Sequence, residues 1–168
     1  MKIAVRLEPA TEAPPPSVAY TWDPDTEILS AQLAPIPGAD GMSGSVGLEG
    51  KDGSWVILDV AKGHIKGVEI AVWPEVRKIS ALAPPTQIQD ARVVVPARQS
   101  QPNIASLESS THLIAEADSA QRNFHFRLGK PREARTIRLA RDVLLDVDDK
   151  SQISGVWLLN VPPAPVEL

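Results

Sequence analysis

Three histidines, His64, His112 and His125, are the first residues to test for chemistry, and none has a second histidine at HxH or HxxxH spacing. A zinc or iron centre needs several such ligands brought together, so the spacing gives no metal signature and no cofactor is expected. With 0 cysteines there is no thiolate ligand, no disulfide framework and no thiol nucleophile. The glycine-rich stretch GADGMSGSVG (38–47) lacks the lysine and following helix of a phosphate-binding loop. It also misses GxSxG by one position, and reads as a hairpin loop. Two aspartates, Asp59 and Asp146, recur in similar surroundings. As an acid/base pair they would have to face one another. As structural residues beside a turn they would accept backbone N–H groups, and this second role is the expected one. No catalytic residue is assigned.

One charged stretch stands out. Residues 122–141 hold seven Arg or Lys against the single Glu133, in a chain whose net charge is −4. Placed on two strands, Phe124, Phe126 and Leu128 share one face, and His125 and Arg127 share the other. The resulting basic ridge, Arg127, Arg132, Arg135, Arg138 and Arg141, is the candidate surface for a partner, an anion or nucleic acid. The stretch 27–52 is the reverse: Glu27, Asp40, Glu49 and Asp52 against Lys51. Opposite charges on matching stretches would let the two parts of the chain, or two molecules, meet there.

The elements that carry these residues are strands. VILDVAKGHIKGVEIAVWP (56–74) is echoed by VLLDVDDKSQISGVWLLNVPP (143–163). Val56 meets Val143 at an offset of 87, and Ile65 meets Ile153 at 88, with one residue inserted at the turn. Each copy reads as a β-hairpin, and Gly67 and Gly155 mark a bulge or a close backbone approach. Upstream, WDPDTEILSAQL (22–33) lies on ADSAQRNFHFRL (117–128), each a turn leading into an alternating strand; KIAVRLE (2–8) and ARVVVPA (91–97) form an outermost strand-like pair. The one helical segment expected is PEVRKISALA (74–83), with proline first and Pro84-Pro85 after it.

The expected fold is all-β: two homologous β-meander units related by a pseudo-two-fold, sandwich- or barrel-like, with little helix. Unit one spans 1–85 and includes the linker helix; unit two spans 86–168. A unit of about 80 residues with one apolar sheet face needs a cover, and the other copy supplies it. Of the four tryptophans, Trp22, Trp55, Trp73 and Trp157, burial is the expected role, and an exposed pair forming a binding surface is the alternative. No signal-peptide core or membrane-length apolar run occurs, so a cytoplasmic, bacterial protein is expected.

A turn of the form aromatic-Asp-Pro-x-x-acidic-x-Leu, followed by hydrophobic-Asp-hydrophobic and then Ile-x-Gly-Val-Glu-Ile, resembles the small YuzE-like bacterial family of unknown function. The match runs through Trp22, Asp23, Glu27, Leu29, Asp59, Gly63, Gly67, Glu69 and Ile70. The second half departs from it at Ala117, Arg122 and Trp157. The resemblance implies no established chemistry; members are short stand-alone domains, some suspected as antitoxin-like partners. The function expected is a non-enzymatic interaction or regulatory module with a protein partner or self-association. An anion or nucleic-acid binder using the ridge, and an enzyme with its site at the symmetry axis, are the alternatives.

Overall fold

The computed structural model describes residues 3–10, 14–35, 41–96 and 105–165, with backbone alone for 105–111. The regular elements among the described residues are all β-strands, and among those residues no helix is long and apolar enough to cross a membrane. The first part of the chain supplies β1 (Arg6–Pro9), β2 (Val18–Trp22), β3 (Leu29–Leu33), β4 (Gly44–Gly50), β5 (Trp55–Ala61), β6 (His64–Val72) and β7 (Val76–Lys78). The second supplies β8 (Ala91–Val94), β9 (Ala105–Thr111), β10 (Leu113–Ala117), β11 (Phe124–Leu128), β12 (Ala134–Ala140), β13 (Val143–Asp148) and β14 (Ile153–Leu158).

Two six-stranded sheets and one ribbon result. The first sheet runs β2-β3-β6-β5-β4-β9, the second β12-β13-β14-β11-β10-β7, and β1 pairs with β8. The strand order β4-β5-β6-β3-β2 in one sheet and β12-β13-β14-β11-β10 in the other is therefore the same. None of the three sheets closes into a barrel, and β3 pairs with β6 and β11 with β14 rather than each with the next strand, so both the barrel and the simple meander of the expectation are corrected. Both sheets and the ribbon turn apolar rows onto one contiguous core.

The alternation that specifies the strands is visible in the burial. Leu29, Ala31 and Leu33 point inward while Ser30 and Gln32 face out; Val56, Leu58 and Val60 are inward while Trp55, Ile57 and Asp59 face out. The first hairpin closes on Lys62 and Gly63, both with positive φ (49° and 83°), and Ala61 pairs with His64. Two such residues match the right-handed twist of the flanking strands. Of the glycine-rich stretch 38–47, residues 38–40 lie outside the described residues and 44–47 belong to β4 rather than to a loop.

The helix expected at 74–83 is absent. Val76–Lys78 instead adds to β10 in parallel, and the Ile79 N–H donates to the Ala117 carbonyl at 2.8 Å. A helix of ten residues is marginal in water without a face to pack, whereas the unpaired edge of β10 offers backbone partners to an extended Val76–Lys78.

Chain from each half completes the other. Strand β9 joins the first sheet beside β4, and β7 joins the second beside β10. The start of the chain bonds to the second hairpin: Val5 N–H to Ser151 O and Ile153 N–H to Ile3 O, each 2.8 Å. The end of β8 reaches the first hairpin through Val95 N–H to Gly63 O at 2.8 Å. Along the seam, Tyr20 donates its hydroxyl toward Leu159 O (2.8 Å) and Trp22 Nε1 donates to Pro162 O (2.9 Å). Trp73 stacks on Trp22 at 5.7 Å and meets Phe124 and Phe126 of the second sheet.

The seam makes a direct forecast. Tyr20→Phe strands the Leu159 carbonyl and costs about 1 kcal/mol, and Trp73→Ala empties the aromatic seam at about 3 kcal/mol, both read by urea unfolding of the whole chain. Burial first, then the Asp142 carboxylate, push the Tyr20 phenol well above its ordinary value of 10.0, against the opposing bond to Leu159. A raised folded-state value means that the contribution is fully present below 10.0 and is lost as pH rises from there. Tyr20→Phe removes that alkaline loss; an unchanged alkaline limb contradicts the assignment.

Candidate functional site

Asp59 and Asp146 stand at the same place in their hairpins, opposite Gly67 and Gly155, where the β5–β6 and β13–β14 ladders both slip by one residue. Neither is the turn residue that its position suggests. In the second hairpin that role belongs to Asp148, whose Oδ1 accepts the N–H groups of Lys150 and Gln152, both at 2.9 Å. Asp59 and Asp146 lie on the outward rows of two different sheets and do not form a facing acid/base pair.

Asp146 is engaged from both sides. His125 Nε2 lies 2.7 Å from Oδ2, and Thr136 Oγ1 donates to Oδ1 at 3.0 Å. A carboxylate only accepts, so the His125 hydrogen sits on Nε2. The ring reaches Asp146 across Gly155, where an added Cβ would come within 2.6 Å of Asp146 Oδ2 and 3.1 Å of His125 Nε2. The imidazole stacks on Trp157 (4.0 Å between centroids, 9° between planes), and its Nδ1 is 4.0 Å from Glu116, which also meets Arg127 at 3.6 Å. Residues of nucleophilic-triad type are present, but Thr136 is bonded to the aspartate and not to the histidine. The hydroxyl has no base to activate it, so the cluster braces the sheet. Among the described residues, no group of three His, Asp or Glu side chains is placed to hold a metal ion.

The basic ridge divides. Arg132 is spent on Asp148 (2.9 Å) and on the Leu128 carbonyl (2.7 Å). Arg127 faces Glu116, and Arg138 faces Asp90 at 3.7 Å and the Arg141 carbonyl at 3.1 Å. Arg135 and Arg141 are exposed with no ion pair to a described residue. Burial of Asp148 opposes its ionisation; the Gln152 N–H, the Arg132 guanidinium and the Lys150 N–H outweigh it and hold the carboxyl below the ordinary range.

A further surface, not marked by charge, is the outward face of the first sheet. Trp157 is 4% exposed and Trp22 and Trp73 are half-buried at the seam, but Trp55 is 41% exposed and its cross-strand neighbour Val72 is 47% exposed. The ladder slip between Trp55 and Val56 leaves Ala71 unpaired and sets Val72 opposite Trp55. Ile57 continues the apolar stripe, Asp59 follows it on the same strand, and Glu69 and Glu49 flank it on the neighbouring strands. The signal was available in the alternation: Trp55 has the same parity as Asp59, and so faces outward with it.

No protein-family model matches the chain, and no curated protein is significantly similar to it.

The two aspartates make a paired forecast. Asp146→Ala leaves His125 and Thr136 without their acceptor in a buried setting and costs about 2–3 kcal/mol; Asp59→Ala, exposed and unbridged, changes stability by less than about 0.5 kcal/mol. Equal effects in thermal unfolding contradict the contrast. Because the Asp148 value is depressed in the fold, its contribution is present above the ordinary 3.8 and is lost as pH falls through the folded-state value. Asp148→Asn therefore lowers stability at neutral pH and flattens the acid limb.

Proposed function

We propose that this chain is a non-enzymatic interaction module, built from two copies of one β unit, that engages a protein partner through the outward face of its first sheet. The observation that carries the partner reading is the pair Trp55 and Val72, two large apolar side chains adjacent in register and open to solvent on a face that none of the described residues covers. Exposed apolar side chains that cluster, rather than occur singly, mark contact surfaces.

Register supports the duplication. The β3–β6 pairs Leu29–Ile70, Ser30–Glu69, Ala31–Val68 and Gln32–Gly67 have counterparts in the β11–β14 pairs Phe124–Leu158, His125–Trp157, Phe126–Val156 and Arg127–Gly155. Asp59–Gly67 and Asp146–Gly155 precede the same slip. The β1–β8 ribbon, antiparallel between the two halves, is where a pseudo-two-fold axis of a sandwich-like body would pass. Kinship with the YuzE-like family and a bacterial, cytoplasmic setting belong to the same proposal.

The anion or nucleic-acid reading is supported by the exposed Arg135 and Arg141. It is the weaker reading, because Arg127, Arg132 and Arg138 already hold partners within the chain.

A photo-crosslinking amino acid placed in the full chain at position 55 or 72, expressed in the native host, tests the interaction face. Discrete adducts are expected at 55 and 72 and not at position 150, an exposed turn on the other sheet. Equal crosslinking at all three positions, or none at 55 and 72, overturns the reading.

A further inference from the structure

The two outward faces differ in one respect that identifies what the first is built to receive. On the second sheet the slot above the glycine is filled from within: His125 crosses Gly155 to Asp146 at 2.7 Å, Thr136 closes the other side, and Trp157 and Leu144 beneath are buried. At the corresponding places of the first sheet stand Ser30, Gly67, Asp59, Ser45, Glu69 and Ile57. Ser30 is too short to cross the glycine, and its hydroxyl turns to Glu69 at 3.5 Å instead. Asp59 Oδ2 overhangs Gly67, where a Cβ would sit 3.3 Å away. Among the described residues Asp59, Glu69 and Glu49 have no Lys, Arg or His partner within 4.0 Å, whereas Glu116, Asp146 and Asp148 on the second sheet all do. The exposed Lys66 stands in the ladder slip beside the slot.

Building on the interaction reading above, we propose that the slot above Gly67 receives a cationic side chain from an extended partner segment. That side chain meets Asp59 as His125 meets Asp146, while an adjacent apolar residue of the segment packs on Ile57, Trp55 and Val72. Charge decides the occupant. A face with three unpaired carboxylates around an exposed indole favours Arg or Lys, and the Trp55 ring adds a cation–π surface for the same group. A second copy of the chain, offering Arg135 or Arg141, is the competing occupant. The slotted face belongs to the first sheet, whereas Arg135 lies on β12 and Arg141 just follows it, so that contact would be head-to-tail, closing into a ring or extending as a filament.

A random short-peptide library panned on the immobilised full chain, with the double variant Trp55→Ser/Val72→Ser as counter-target, tests this. Enriched peptides are expected to carry Arg or Lys next to an apolar residue. By fluorescence anisotropy their affinity should fall about tenfold or more on Asp59→Asn, on Ser30→His, which plugs the slot from within, and on raising salt from about 50 to 500 mM. Asp59→Asn is isosteric at an exposed site and keeps the test valid should Ser30→His misfold. Enriched peptides without basic residues, or indifferent to both variants, overturn the slot while leaving the interaction face standing. Peptides that bind the counter-target equally well remove the interaction face itself. Self-association of the chain that disappears on Arg135→Glu/Arg141→Glu overturns the peptide occupant in favour of a second copy.

Discussion

A sheet with one apolar face and an unpaired edge cannot stand alone in water, and in this chain each half supplies what the other lacks. The inward rows of the two sheets meet in one core, the β1–β8 ribbon contributes to it, and β7 and β9 each cap a sheet made otherwise from the other half. Backbone groups that would be orphaned at a sheet edge are paired by this exchange, so its value lies as much in hydrogen-bond satisfaction as in apolar burial. The aromatic seam follows from it. Trp73 can reach Phe124 and Phe126 only because β7, three residues further on, is drawn to β10.

Once the inward faces are committed to the core, the outward faces are free to differ. The same Asp–Gly pairing and the same slip occur in both hairpins, yet the surrounding side chains send them to opposite ends. Long residues on the second sheet fold over their own glycine and cover Leu144, whereas short ones on the first leave Ile57, Asp59 and Trp55 open. The difference costs the fold little, because outward side chains do not disturb core packing. It turns one face into a brace and leaves the other available for contact.

The strands were legible because both faces of the rule were present. Apolar parity in FHFRL predicts the row of Phe124, Phe126 and Leu128, and the β-branched runs predict both hairpins; the pairing of β3 with β6 and of β11 with β14 is a long-range fact that neither run contains. The helix at 74–83 was misread because local propensity at Pro74 and the alanines outweighed, on paper, an edge that only the assembled second sheet provides. The role of Asp146 was missed for a related reason. Its partner His125 lies 21 residues away in sequence, and only the register of β11 on β14 brings the ring over Gly155. The ridge arginines read as one surface because their charges are close in sequence, but Asp90, Glu116 and Asp148 reach three of them from other strands and turns. Pairing of charges is a tertiary fact that composition cannot carry.

The dependence of each half on the other is the claim from which the rest follows, and cutting the connection tests it directly. Fragments 1–85 and 86–168, made separately, are each expected to be unfolded or self-associated by circular dichroism and sedimentation. On mixing they should recover one equimolar complex with the spectrum of the intact chain. A 1–85 fragment that is monomeric on its own and unfolds cooperatively would contradict the account.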